Sequence, residues 1–148
     1  GAAVTLSDTG PCNVTGLTVV IDTGSGQCNL VAKSPGGPGL APASVGYTIR
    51  MTPGAQTASV SAPRTGATLQ RGRTVRLAGP SQSSTSAGQT IRWTVLKNSR
   101  GICRLRFPSN GAVNLQLQQR GTCNVRATAP AVPGSWAAFR LDLRYRVR

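Results

Sequence analysis

Gly121-Thr122-Cys123-Asn124-Val125-Arg126-Ala127 repeats an earlier stretch of the same chain, Gly26-Gln27-Cys28-Asn29-Leu30-Val31-Ala32. Glycine, cysteine, asparagine and alanine recur in place, with an aliphatic residue two positions after the cysteine. The match extends outward from this kernel. Upstream, Gly111-Ala112-Val113-Asn114-Leu115-Gln116-Leu117 answers to Gly16-Leu17-Thr18-Val19-Val20-Ile21, and the run from Leu96 through Cys103 to Leu105 answers to Leu6 through Cys12 to Val14. Downstream, a Pro/Gly loop follows each copy, Pro35 to Pro42 and Pro130 to Gly134. Each copy then closes on a strand-like run, Val45–Arg50 and Leu143–Arg148. The separation drifts from 91 residues at Cys12 and Cys103, through 95 at Cys28 and Cys123, to 98 at Tyr47 and Tyr145. Loop insertions between equivalent strands produce such drift, so the chain uses one supersecondary unit twice.

The unit is made of strands. Phe139, Leu141, Leu143, Tyr145 and Val147 alternate with Arg140, Asp142, Arg144, Arg146 and Arg148, the period of two that puts one face in a core and the other in water. Cys103, Leu105 and Phe107 alternate in the same way with Arg104 and Arg106. One dry and one wet face describe an antiparallel sandwich. Glu is absent and Lys occurs only at Lys33 and Lys97, so the residues that usually solubilise amphipathic helices are missing. The fold class is all-β. No apolar run approaches the ~18 residues of a spanning helix, and no membrane span is expected.

The two copies are unequal. Before Cys103 lie three strand-like runs, Ala58–Ala62, Arg73–Leu77 and Gln89–Val95; before Cys12 lies only Ala2–Leu6. The first copy is therefore expected to lack about two strands. The expected organisation is a partial repeat over 1–52, a linker over 53–56 and a complete repeat over 57–148.

Four cysteines allow three connectivities. Repetition selects Cys12–Cys28 and Cys103–Cys123, because equivalent positions should do equivalent jobs. Each bridge closes a short loop and contributes on the order of 3 kcal/mol. A zinc site would need further ligands, but the chain has no His, no Cys-x-x-Cys and few carboxylates. Structural disulfides place the protein at the cell surface or otherwise outside the cell.

The segment Arg120-Gly121-Thr122-Cys123-Asn124-Val125-Arg126-Ala127-Thr128-Ala129-Pro130, continuing through Trp136 to Tyr145-Arg146-Val147, resembles bacterial immunoglobulin-like repeats. These are the repeats of secreted, multi-repeat surface proteins from high-GC Gram-positive bacteria. The resemblance implies tandem immunoglobulin-like antiparallel β-sandwiches, here with the first incomplete at its N-terminus. It also implies a stalk, spacer, adhesin or polymerising surface subunit, and the fold alone does not choose among these.

Catalysis lacks its usual parts. Without His or Glu, general acid–base chemistry would fall to Asp8, Asp22 or Asp142. No Ser-x-x-Lys dyad occurs, and Pro35-Gly36-Gly37-Pro38-Gly39 is not followed by the Gly-Lys-Ser/Thr of a phosphate loop. The chain is read as a non-enzyme without cofactor or metal.

The net charge of +14 is uneven. Through Pro53, Lys33 and Arg50 balance Asp8 and Asp22; beyond it, fourteen arginines and Lys97 face Asp142 alone. A basic excess attracts polyanions. The candidate residues are Arg140, Arg144, Arg146 and Arg148 on one strand, with Arg104 and Arg106 on another. Sequence-specific nucleic-acid binding is not expected, because no recognition helix or aromatic stacking platform is visible. Three roles follow. The first is a fibre subunit whose incomplete repeat receives a strand from a second copy, with Ser59–Ala62 or Arg144–Arg148 as donor, giving a homopolymer. The second is a fragment of a stalk or adhesin. The third is a module, such as a virion decoration protein, whose Arg-rich face binds an anionic surface polymer.

Overall fold

The structure is a computed structural model that describes residues 3–148, so Gly1 and Ala2, part of the first expected strand, lie outside the described residues. The chain divides into two compact units, Gly1–Gly54 with Pro133–Trp136, and Ala55–Val132 with Ala137–Arg148. Residues 53–56, expected as a linker, are shared between the two. Gln56 is buried and donates to the carbonyl oxygens of Pro130 and Ala137, 2.7 Å each, within the second unit.

The first unit holds β1 (Thr5–Thr9), β2 (Cys12–Thr15), β3 (Thr18–Ile21), β4 (Gly26–Ser34) and β5 (Ala43–Met51). They form a three-stranded sheet in the order β1-β4-β5 and a separate β2-β3 pair. The Cys12–Cys28 disulfide ties the two sheets together. Around it lie Leu30 and the partly buried Leu6, Val14, Val19, Ile49 and Met51.

The second unit holds β6 (Thr68–Leu69), β7 (Thr74–Ala78), β8 (Arg92–Val95), a 3-10 turn (Lys97–Ser99), β9 (Cys103–Arg106), β10 (Val113–Leu117), β11 (Gly121–Ala129) and β12 (Phe139–Val147). One sheet runs β6-β12-β11-β8 and the other β7-β10-β9. All pairs are antiparallel except β6 with β12, a two-residue parallel ladder that the alternation does not signal. The Cys103–Cys123 disulfide joins the sheets. Leu77, Leu115, Leu117, Val125, Ala127 and Tyr145 close over it and are fully buried. This unit is an immunoglobulin-like β-sandwich, with the alternating strands of the sequence supplying its two inner faces.

The registers define which residues are equivalent. Cys28 pairs with Ile49, and Cys123 with Tyr145. Ile49, and not Tyr47, is thus the counterpart of Tyr145. Likewise Leu6 faces Ala32 as Trp93 faces Ala127, so Leu6 answers to Trp93. Leu6 lies closer to its cysteine than Trp93 does because the 3-10 turn separates β8 from β9, whereas only Gly10 and Pro11 lie between β1 and β2. The glycines that open β4 and β11 also correspond. Gly26 has φ +111° and Gly121 φ +140°; a Cβ would stand 3.1 Å from Pro11 Cγ in one and 2.8 Å from Ile102 Cδ1 in the other. Pro11 and Ile102 each precede the first cysteine of their copy. Only glycine takes such a φ without strain.

With equivalences fixed, β1 to β5 match β8, β9, β10, β11 and β12. Among the described residues, nothing in the first unit answers to β6 or β7. Residues 58–62, expected as a strand, make no ladder. Ser61 N donates to Leu77 O at 3.0 Å, and Ala58, Val60 and Ala62 pack against the core as an extended segment.

Candidate functional site

Two surfaces stand out, and each follows from the strand pattern. The first is the inner face of β1-β4-β5. Val4, Val45 and Tyr47 point to the side that is dry in the second unit, yet they are 55%, 67% and 69% exposed. Their counterparts Ile91 and Leu143 are buried at 7% and 6%, and Leu141, matching Val45, packs on the core. The same holds on the smaller sheet, where Ile21 is 43% exposed and its counterpart Leu117 is 1% exposed. Val4, Ala32, Ala43 and Val45 line an apolar hollow on this face. Among the described residues, no strand pairs with the edges of β5 and β3 that match those used by β6 and β7 in the second unit.

The second surface is basic and lies on the second unit. The structure separates the six candidate arginines. Arg140, Arg144 and Arg146 are on β12, Arg148 follows it, and Arg104 and Arg106 are on β9 in the other sheet. The outer faces of two packed sheets point away from each other, so the arginines of β12 and those of β9 form separate patches. The β12 face gains Arg126 of β11 and Arg92 of β8, which the sequence reading did not include. Arg126 faces Asp142 across the ladder, and its alternation with Val125 and Ala127 was the available signal. Arg126 Nε lies 2.6 Å from Asp142 Oδ1 and Arg140 Nη2 2.7 Å from Asp142 Oδ2. Hydrogen bonds from Arg126 and then Arg140 hold the Asp142 carboxyl below its ordinary value. On the other sheet, Arg76 joins Arg104 and Arg106, and Arg106 Nε donates to Gln116 Oε1 at 3.0 Å.

Several sequence expectations need correction. The alternation puts Phe107 at an inward strand position, but β9 ends at Arg106 and Phe107 is 65% exposed. Asp8, which would have had to serve acid–base chemistry, sits within β1, and its Oδ1 accepts from Val14 N at 3.1 Å. Both proposed strand donors are engaged. Ser59–Ala62 packs on its own core, and the end of β12 is flanked by β11 and β6. Among the described residues, no three metal-ligating side chains converge, and no helix is long and apolar enough to cross a membrane.

No protein-family description matches the chain, and no characterised protein matches it in sequence. Solved structures similar to it are repeat domains of surface proteins. Domains 4 and 5 of the S-layer protein SbsC match with 13% identity over 97% of this chain and 70% of that one, at a TM-score of 0.41. A longer SbsC structure matches with 13% identity and a TM-score of 0.42; the chain spans 20% of its length. The tandem Ig repeats of Dlar match with 11% identity over 99% of this chain and 82% of that one, at a TM-score of 0.36. Likenesses this weak carry no argument about function, and they give no support to a high-GC Gram-positive source.

Proposed function

We propose that this chain is an extracellular structural protein, a subunit of a surface fibre, in which the first unit is completed by β-strands from a neighbouring subunit. One observation carries the reading: each strand of the first unit has a counterpart in the second, but among the described residues nothing answers to β6 and β7, and Val45 and Tyr47 are uncovered. Covering a side chain such as Tyr47 or Val45 stabilises by about 1.5–3 kcal/mol each. An added strand also satisfies the unpaired backbone groups at the edges of β5 and β3, which are otherwise an aggregation hazard.

The donor this gap calls for has the pattern of residues 57–78, with small apolar residues alternating along an extended stretch, a short parallel strand and a longer antiparallel one. Ser59–Ala62 and Arg144–Arg148 are held in their own unit, so donation of either requires that it leave that unit as the neighbour takes it up. Strand addition supplies main-chain hydrogen bonds and pockets for alternate side chains. A head-to-tail contact of this kind propagates into a filament unless it closes into a ring. Two disulfides support an oxidising, extracellular setting.

Electron microscopy of native material tests the reading. Regular fibres are expected from the wild-type protein and dispersed particles from Tyr47→Lys, which puts a charge on the face to be covered. Dispersed particles from both, or fibres unaffected by Tyr47→Lys, contradict it. The first outcome returns the chain to the stalk or adhesin reading.

A further inference from the structure

The whole net charge of the protein lies in the second unit, where fourteen arginines and Lys97 face Asp142 alone. Charge in itself names no site. The arrangement on the β12 face is more particular. Asp142 takes up Arg126 and Arg140 at one end of the strand. At the other end Arg144, Arg146 and Arg148 project from alternate positions, about 7 Å apart along the strand. Among the described residues, none of these three forms an ion pair. Their free donors are not isolated either. Arg144 and Arg146 line a polar hollow with Thr68 and Thr122. Arg144 also borders a second hollow, with Asn98 and Asn124. The hydroxyls of Thr68 and Thr122 beside Arg144 and Arg146 can add hydrogen bonds to the charge, while the Asn124 amide already donates to Asn98 and Ser99.

We infer that the outer face of β12 and β11 binds a linear phosphate polymer along the row Arg144, Arg146, Arg148, through the phosphates alone. Guanidinium pairs with phosphate in bidentate fashion, which an ammonium cannot do, and the row contains no lysine. The side chains of the face are Arg, Asp, Thr and Asn, with no outward aromatic ring on which a base could stack, so recognition stops at the polymer backbone. The opposite sheet carries three arginines as well, Arg76, Arg104 and Arg106, but Arg106 is bound to Gln116. That sheet serves as an internal control of equal charge. The inference does not depend on how the first unit is completed.

The experiment compares two triple variants of the full chain, Arg144→Gln/Arg146→Gln/Arg148→Gln and Arg76→Gln/Arg104→Gln/Arg106→Gln, against inorganic polyphosphate and against single-stranded oligothymidylate. All six side chains are exposed, and thermal melts of both variants show whether each retains its fold. The first variant should bind both probes on the order of 50-fold more weakly at physiological salt, with the slope of log K against log salt reduced by about 2, as expected for three lost phosphate contacts on a single strand. The second should stay near wild type. Equal losses in the two variants would mean that net charge alone acts and would overturn the inference. Wild-type binding by the first variant would do so too, as would binding of oligothymidylate without polyphosphate, which would place recognition on the bases.

Discussion

Ile49 and Tyr145 hold the same place in two copies of one strand, each paired across the ladder with the second cysteine of its unit, Cys28 or Cys123. Tyr145 is fully buried and its hydroxyl donates to Pro63 O at 2.9 Å. Ile49 has no such roof, because among the described residues nothing in the first unit answers to the segment that carries Pro63.

Burial pushes the Tyr145 hydroxyl up to about 12. An unfolded tyrosine titrates near 10, so the folded form holds its proton where the unfolded form has released it. The stabilisation is complete below about pH 10 and is lost as pH rises toward about 12, on the order of 2 kcal/mol in all. Denaturant titrations across this window should show a steep fall for wild type and a shallower one for Tyr145→Phe. At neutral pH that variant should lose about 1 kcal/mol with the hydrogen bond.

Trp93 and Leu6 make a second matched pair. Trp93 is 7% exposed and sits in the same core as Cys103 and Cys123; Leu6 is only partly buried. Trp93→Ala should therefore cost about 3–5 kcal/mol, and Leu6→Ala less than about 2. Chemical denaturation of the two variants checks the ranking. Equal costs would mean that the first unit's core is as well covered as the second's.

Removing a bridge should also affect the units unequally. Leu30 is the one buried residue beside the first bridge in its core cluster, whereas eleven buried residues surround the second bridge. Loss of about 3 kcal/mol should leave the first unit of Cys12→Ser/Cys28→Ser without a cooperative transition. Cys103→Ser/Cys123→Ser should still melt cooperatively, at a lower temperature. Calorimetry distinguishes these outcomes, and non-reducing peptide mapping of wild type should link Cys12 to Cys28 and Cys103 to Cys123.

The repeat and its dry and wet faces could be read from the residues because a period of two survives any loop insertion. Register could not. Val45, Tyr47 and Ile49 share one face, so sliding the copy by two residues keeps every apolar side chain inward, and two tyrosines look like partners when they are not. The two-residue β6 is too short for a pattern, and residues 58–62 have a strand's alternation but only one hydrogen bond toward β7. The arginines show the same limit. Arg104 and Arg144 each alternate with core residues, and only the long-range pairing of β9 with β10 and of β12 with β11 assigns them to different sheets. Gln56 gave no signal, since its burial depends on the carbonyl groups of Pro130 and Ala137 far along the chain.

Whether the first unit is open over the described residues and gains strands from a neighbour is decided by hydrogen exchange. Local protection follows buried contacts and paired backbone. In the purified monomer, amides of β3 and β5 should exchange quickly while those of β10, β11 and β12 exchange slowly. In assembled material the protection of β5 from Val45 to Met51, and of β3, should rise toward that of β12 and β10, with β11 unchanged. Equal protection of the two units in the monomer, and no gain in β5 on assembly, would contradict the claim.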